Sequence, residues 1–399
     1  MADYQQYFEF IRYAIDAEKS SIPCLDSEEW KGLFQFAKEQ TIVGVVFEGV
    51  KKMSDGRGKM EESHQPLTNE HKLKPPFNLL MEWIGLTERI AKQNKILNRR
   101  CVEVVREYQD AGFQCCVLKG QGNAVMYDGR RMMDDGRGDS LALLRTPGDI
   151  DLWVLPADGR GKADDVRRDI TKYVKEKHPP KMEMRYYHIG YQDKGIEVEA
   201  HFMPNIMNNP VYHRRLQEWY RKMADDGRGM VDVELPDGVG RIPVPTAEFN
   251  IVFQLAHMMH HFFDEGIGLR QFVDYYFVLM AADFTDCADN KGFGETLRYL
   301  GLWNFAGAVM YVMREVFRLE ERYMIAPVDE LRGKTLMTEI LKGGNFGRHS
   351  GLTKHSAGGK YFAKTWRNMQ LVREYPAEAL CEPLFRTWHF FWRQWRKFA

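Results

Sequence analysis

The chain has 399 residues, 44% of them apolar, and its 56 lysines and arginines balance 56 aspartates and glutamates. That is enough apolar material for one large domain or for two to three smaller ones. A formal net charge of zero gives no global field to recruit nucleic acid or an anionic membrane, and no apolar run reaches spanning length.

Taken in chain order, the first hundred residues read as helices. "YQQYFEFIRYAI" has helical apolar spacing, and "DSEEWKGLFQFAKEQ" opens on a D-x-x-E capping signature, Asp26 to Glu29. The beginning, "MADYQQYFEF", does not read as a signal peptide. Residues 54 to 76 read as a polar loop, and "FNLLMEWIGLTERIAKQNKILNRRCVEVVREYQDAG" as one long helix stopped at Gly112. The pattern then changes to short strands: "FQCCVLKG", "DIDLWVL", and the pair "MEMRYYHIGYQ" and "IEVEAHF" about a turn, with the amphipathic helix "KADDVRRDITKYVKEK" between them. "LPDGVGRIPVPTAEF" reads as a Pro- and Gly-rich linker, and helices resume from about Glu248. The expected fold is α+β. A small mixed sheet near 111–245 is flanked by an N-terminal helical region, 1–110, and a C-terminal helical domain, 246–399.

Some features sit between these elements. "DGRG" recurs at 55–58, 135–138, 158–161 and 226–229, each in a turn position, and reads as loop insertions. The six cysteines, Cys24, Cys101, Cys115, Cys116, Cys287 and Cys381, form no C-x-x-C pair. They are expected to be free thiols in a reducing, cytoplasmic setting.

The chemistry concentrates in "RTPGDIDLWV", residues 145 to 154. A strand has a period of two, so Asp149 and Asp151 share a face, while Ile150, Leu152 and Val154 share the other. Two adjacent carboxylates bind cations, and an oxygen-only site suits Mg²⁺. Solvation, or pairing with Arg145, is the plainer reading of the pair. Taken as two uncompensated carboxylates, the pair repels, so neutralising either is expected to leave the metal-free fold unchanged or more stable. Pro147-Gly148 turns the chain just before the pair. Gly120 and Gly122 follow an apolar strand, where backbone N–H groups could approach a phosphate. In "IEVEAHF", Ile196, Val198, Ala200 and Phe202 alternate with Glu197, Glu199 and His201.

On these residues, "LKGQG", "RTPGDIDLWV" and "EVEAHF", the chain resembles the polymerase-beta-type nucleotidyltransferase superfamily. It resembles in particular a bacterial branch with the pattern LKG, R-x-x-GDID, E-x-H, over roughly residues 76–280. The resemblance implies a glycine motif at Lys119, Gly120, Gln121 and Gly122 that holds phosphates. It also implies one or two Mg²⁺ on Asp149 and Asp151, with a third carboxylate. That carboxylate is Glu199 rather than Glu197, because it stands two residues before His201. Lys119 or Arg145 would neutralise the triphosphate. Two departures stand out: Gln121 and Gly122 follow Gly120 where a Gly-Ser pair is usual, and an insertion over 128–142 lengthens the approach to Asp149.

The C-terminal region adds "QLAHMMHHFFDEGIGLRQFVDYY". His257 and His261 share a helix face and could bind metal, although apolar residues surround them. The bacterial branch resembles this segment too, which implies that His257, Arg270 and Asp274, with His201 from the sheet, contact the acceptor or the triphosphate. An ion pair along the helix between Arg270 and Asp274 is the plainer reading. The aromatic tail "FRTWHFFWRQWRKFA" is expected to cap the helical core rather than lie on a membrane. The function expected is Mg²⁺-dependent transfer of a nucleoside monophosphate from an NTP to a small acceptor, without DNA. The alternatives are an inactive nucleotide- or partner-binding protein of the same fold and, behind it, a metal hydrolase built on His257 and His261.

Overall fold

The computed structural model describes residues 4–16, 23–55, 74–127, 140–156, 163–178, 182–282, 287–343 and 357–398. Among the described residues, three helices come first: α1 (Gln5–Ile15), α2 (Ser27–Glu39) and α3 (Val43–Ser54). The capping signature forms in both directions. The Glu28 and Glu29 amides donate to the Asp26 carboxylate at 2.9 Å, and the Asp26 amide donates to Glu29 at 2.7 Å. Such a cap stabilises a helix by about 1 kcal/mol. Helix α4 (Phe77–Asp110) runs for 34 residues and ends where Gly112 takes φ +84°.

Five strands form a mixed sheet in the order β1-β2-β5-β4-β3: β1 (Phe113–Val117), β2 (Ile150–Pro156), β3 (Met182–Met184), β4 (His188–Asp193) and β5 (Ile196–His201). β2 lies antiparallel to β1 and parallel to β5, so its two neighbours fix it from both sides. Short α5 (Gln121–Ala124) follows β1, α6 (Ala163–Lys177) follows β2, and α7 (Pro210–Asp225) follows β5. The single expected strand over 182–192 is broken at Arg185–Tyr187 into β3 and β4.

One expectation fails. The segment read as a linker, 235–249, holds the turn and second strand of a hairpin, in which β7 (Arg241–Pro245) pairs with the preceding β6 (Met230–Glu234). Gly238 at φ +67° makes the turn between them, and Ile242 and Val244 are buried. Pro243 and Pro245 are tolerated because both strands are edges, where a missing N–H costs little. The described "DGRG" copy, at 226–229, leads from α7 into β6, with Arg228 exposed and paired to Asp226. Of the other three copies only Asp55 is described, and most of the 128–142 insertion likewise lies outside the described residues.

Among the described residues, seven α-helices follow: α8 (Ala247–Asp264), α9 (Leu269–Ala281), α10 (Cys287–Tyr299), α11 (Trp303–Phe317), α12 (Glu330–Gly343), α13 (Ala357–Gln370) and α14 (Pro376–Phe398). All but α13 share one core with the N-terminal helices, running through Phe10, Trp30 and Trp83 to Phe253, Phe305, Met310 and Tyr375. A second core lies across the sheet. There Ile150, Leu152, Val154, Val198 and Ala200 meet Leu97, Cys101, Val104 and Tyr108 of α4 and Val166, Ile170 and Val174 of α6. The opposite face of β2 turns Trp153 and Leu155 into the first core, where Trp153 stacks on Phe249 of α8 at 5.3 Å. The sheet is thus sandwiched, and the carboxylate face of β2 looks at α8.

The aromatic tail divides. Phe385, Trp388 and Trp392 close around Tyr186, while Trp395 and Phe391 stay more than 60% exposed. Among the described residues no helix is long and apolar enough to cross a membrane.

Candidate active site

Register builds the site. Asp151 and Glu199 are direct partners on parallel strands, so their side chains emerge side by side. Asp149 lies just ahead of β2 and reaches the same face; ligand oxygens of Asp149, Asp151 and Glu199 all lie within 4.8 Å of one another. Glu197, one repeat earlier, is exposed. Ile150, Leu152 and Val154 anchor the strand from behind, so the alternation that hides them forces the carboxylates forward.

Asp151 is not left uncompensated, which corrects the sequence-based expectation. It is 1% exposed, with Lys119 Nζ at 2.7 Å and His201 Nε2 at 3.0 Å. Burial alone would raise its carboxyl, but the Lys119 ammonium and the His201 ring overcome that and hold it far below the ordinary range. Asp149 goes the other way: the charge of Asp151, then burial, pushes it up. Glu199 is raised by burial. Burial acts to lower His201, yet its hydrogen bond to Asp151 and the nearby Glu199 carboxylate hold it above its usual value. Two carboxylates therefore have unmet affinity for positive charge, and the donor set is hard oxygen, which suits Mg²⁺ or a similar ion.

The glycine motif has structural duties. Gly120 adopts φ +57°, and a Cβ there would press on the Asp149 carbonyl at 3.3 Å. A Cβ on Gly122 would collide with the Val117 carbonyl. Gln121 donates to Asn98 of α4, so its side chain points into the packing. Asn123, which sequence reasoning passed over, joins Asn250 and Gln254 of α8 to Asp274 of α9. The motif thus fixes the end of β1 against α8 and places Lys119 on Asp151.

Arg145 and Asp274 meet each other. Arg145 Nε and Nη2 donate to the two Asp274 oxygens at 2.8 and 2.7 Å, and Tyr127 and Asn123 donate to the same carboxylate. Both residues are about 5% exposed or less. Burial would raise Asp274, but Arg145 holds it low. The pair clamps the entrance of β2 to α9 across 129 residues of sequence, a contact that no local pattern reveals.

Arg270 lies one turn before Asp274 and faces the turn ahead of Asp149, its Nη1 3.7 Å from where a Gly148 Cβ would stand. Burial, then the nearby Arg145, lowers its affinity for its proton. His257 and His261 of α8 approach with Nε2 atoms 3.0 Å apart. Both are kept neutral by burial, with the charge of Lys119 adding to the effect. Among the described residues, neither belongs to a group of three potential metal ligands. His188 was also missed. It stands opposite His201 on β4, with Nδ1 3.5 Å from Glu199 Oε2. Its signal was present: in "HIGYQ", Ile189 and Tyr191 take the apolar face, which leaves His188 on the face of the carboxylates.

Comparison with known proteins places this chain in a family. A family described as "uncharacterised nucleotidyltransferase" matches residues 26–318, which include every site element above. No curated protein and no solved structure matches the chain.

Proposed function

The chain belongs to that uncharacterised nucleotidyltransferase family, and on this premise we propose that it transfers a nucleoside monophosphate from an NTP to a hydroxyl or amine of a small acceptor. One observation carries the reading: the convergence of Asp149, Asp151 and Glu199 on one sheet face. These three would hold a divalent cation of the Mg²⁺ class. When bound, that cation supplies charge neutralisation and alignment of the reacting oxygens.

The acceptor oxygen or nitrogen attacks the α-phosphorus. A new bond forms there, the bond to the bridging oxygen of the β-phosphate breaks, and pyrophosphate leaves. The acceptor's proton needs a basic carboxylate. Glu199 would take it where it does not complete the cation site. Lys119, fixed on Asp151, brings a cation to the phosphates. Arg270, beside Gly148, offers a planar fork to phosphate oxygens. His257 and His201 flank this space, while Arg145 and Asp274 brace its wall.

A second reading is a nucleotide-binding protein without turnover. It is favoured by Lys119 and His201 already satisfying Asp151. The deciding experiment incubates the protein with each α-labelled NTP, Mg²⁺ and a cell extract. Label should pass to a product in a Mg²⁺-dependent way and fail to do so with Asp149→Asn. Mg²⁺-dependent nucleotide binding with no labelled product supports the second reading.

A further inference from the structure

The geometry points to a second cation site in this molecule, formed by His188, Glu199 and His201, that selects a zinc-class divalent ion rather than Mg²⁺. It goes beyond nucleotidyl transfer and does not depend on it. The three side chains come from two adjacent strands. His188 and His201 are direct partners on antiparallel β4 and β5, and Glu199 precedes His201 by one repeat on the same face. One donor atom from each lies within 4.8 Å of the others.

The distances fit coordination better than hydrogen bonding. Glu199 Oε2 is 3.3 Å from His201 Nε2 and 3.5 Å from His188 Nδ1, and the ion would replace the proton that His201 Nε2 shares with Asp151 Oδ1 at 3.0 Å. A charge-assisted hydrogen bond would bring such atoms to about 2.7–2.9 Å. Zinc bonds of about 2.0–2.1 Å at tetrahedral angles put neighbouring ligand atoms roughly 3.3–3.4 Å apart, close to what these side chains show. His188 Nδ1 is also buried without a hydrogen-bond partner, on a side chain 9% exposed that is aimed at Glu199. A buried imidazole nitrogen left unbonded is costly, and a metal ion would satisfy it.

The donor set decides the ion. Two imidazoles and one carboxylate suit zinc and its neighbours in the first transition row, whereas Mg²⁺ prefers oxygen. Three protein ligands leave one position open, the pattern of a reactive rather than a purely structural site. Glu199 belongs to both groups, so the two sites adjoin.

The test uses the full chain stripped by chelator and titrated with Zn²⁺ or Co²⁺ alone. Wild type should bind one equivalent, and Co²⁺ should give the visible absorption of a four-coordinate ion. His188→Ala should weaken binding by more than the about 10–100-fold that loss of an outer-shell partner costs. Glu197→Gln and His261→Ala should bind within a few-fold of wild type. Absence of stoichiometric binding in wild type overturns the assignment, as does unchanged binding in His188→Ala. Loss in His261→Ala with retention in His188→Ala would move the ion to the α8 pair and overturn it equally. Should His188→Ala not fold, X-ray absorption of zinc-loaded wild type decides. Two imidazole nitrogens in the shell are expected, and an all-oxygen shell refutes the site.

Discussion

Asp149 and Asp151 differ in environment enough that their asparagine variants should separate. Asp151→Asn removes a buried carboxylate that Lys119 and His201 both contact, at 2.7 and 3.0 Å. Breaking one side of a buried ion pair costs about 3–5 kcal/mol. Lys119 keeps Asp149 and Glu199 nearby, and both favour its charged form, so the low end, about 3 kcal/mol, applies. With an unfolding entropy of about 2.1 cal/mol/K per residue, 399 residues give about 0.8 kcal/mol/K, so the melting temperature should fall by about 4 °C. Asp149→Asn instead relieves the repulsion that raises the Asp149 carboxyl, so its melt should be unchanged or higher. Both variants should abolish metal-dependent label transfer. The assay is a pair of thermal melts in chelator beside the transfer reaction. The reverse order of melting temperatures, or full transfer in either variant, would refute the reasoning.

Glu199→Gln should lower turnover by orders of magnitude, each tenfold being about 1.4 kcal/mol of barrier, whereas Glu197→Gln on the exposed repeat should cost little; steady-state rates of the two variants decide it. Arg270→Ala should raise the NTP KM or lower kcat with little change in melting. Asp274→Ala should destabilise by about 3–5 kcal/mol, because it strands buried Arg145; kinetics and melts of both variants separate the two roles. Glu378 is 2% exposed and accepts hydrogen bonds from the Asn208 and Asn209 amides, yet burial lifts its carboxyl to about 7 from 4.5. The folded state then binds this proton more tightly than the unfolded one. Its contribution is full below about pH 4.5 and is lost as pH rises through 7, a change of about 3 kcal/mol at 1.36 kcal/mol per unit. Glu378→Gln should remove that slope from melts taken between pH 5 and 8.

Much of the site was legible because it obeys short-range rules. The same-face pair, the turn at Pro147-Gly148 and the alternation of "IEVEAHF" all follow from strand period. The capping box and the long α4 follow from helix signals. Periodicity does not separate Glu199 from Glu197; the family resemblance favoured Glu199, and the register of β5 on β2 sets it beside Asp151. The Arg145–Asp274 clamp and the Lys119–Asp151 contact depend on tertiary closure over 129 and 32 residues, so they left no local trace. The β6–β7 hairpin was hidden by its prolines, which argue against a strand except at an edge.

Helix α4 carries a consequence for how this protein can be divided or evolve. It spans about 50 Å at 1.5 Å per residue, with Trp83 in one core and Leu97 to Tyr108 in the other. It is a single girder shared by two rooms. An isolated catalytic fragment starting at β1 would strip the sheet of its cover and expose Cys115, Val117 and Val154 to water. Recombination or truncation that respects the fold must therefore keep α4 whole, and the shortest heritable unit of this catalyst includes the helix that precedes its first strand.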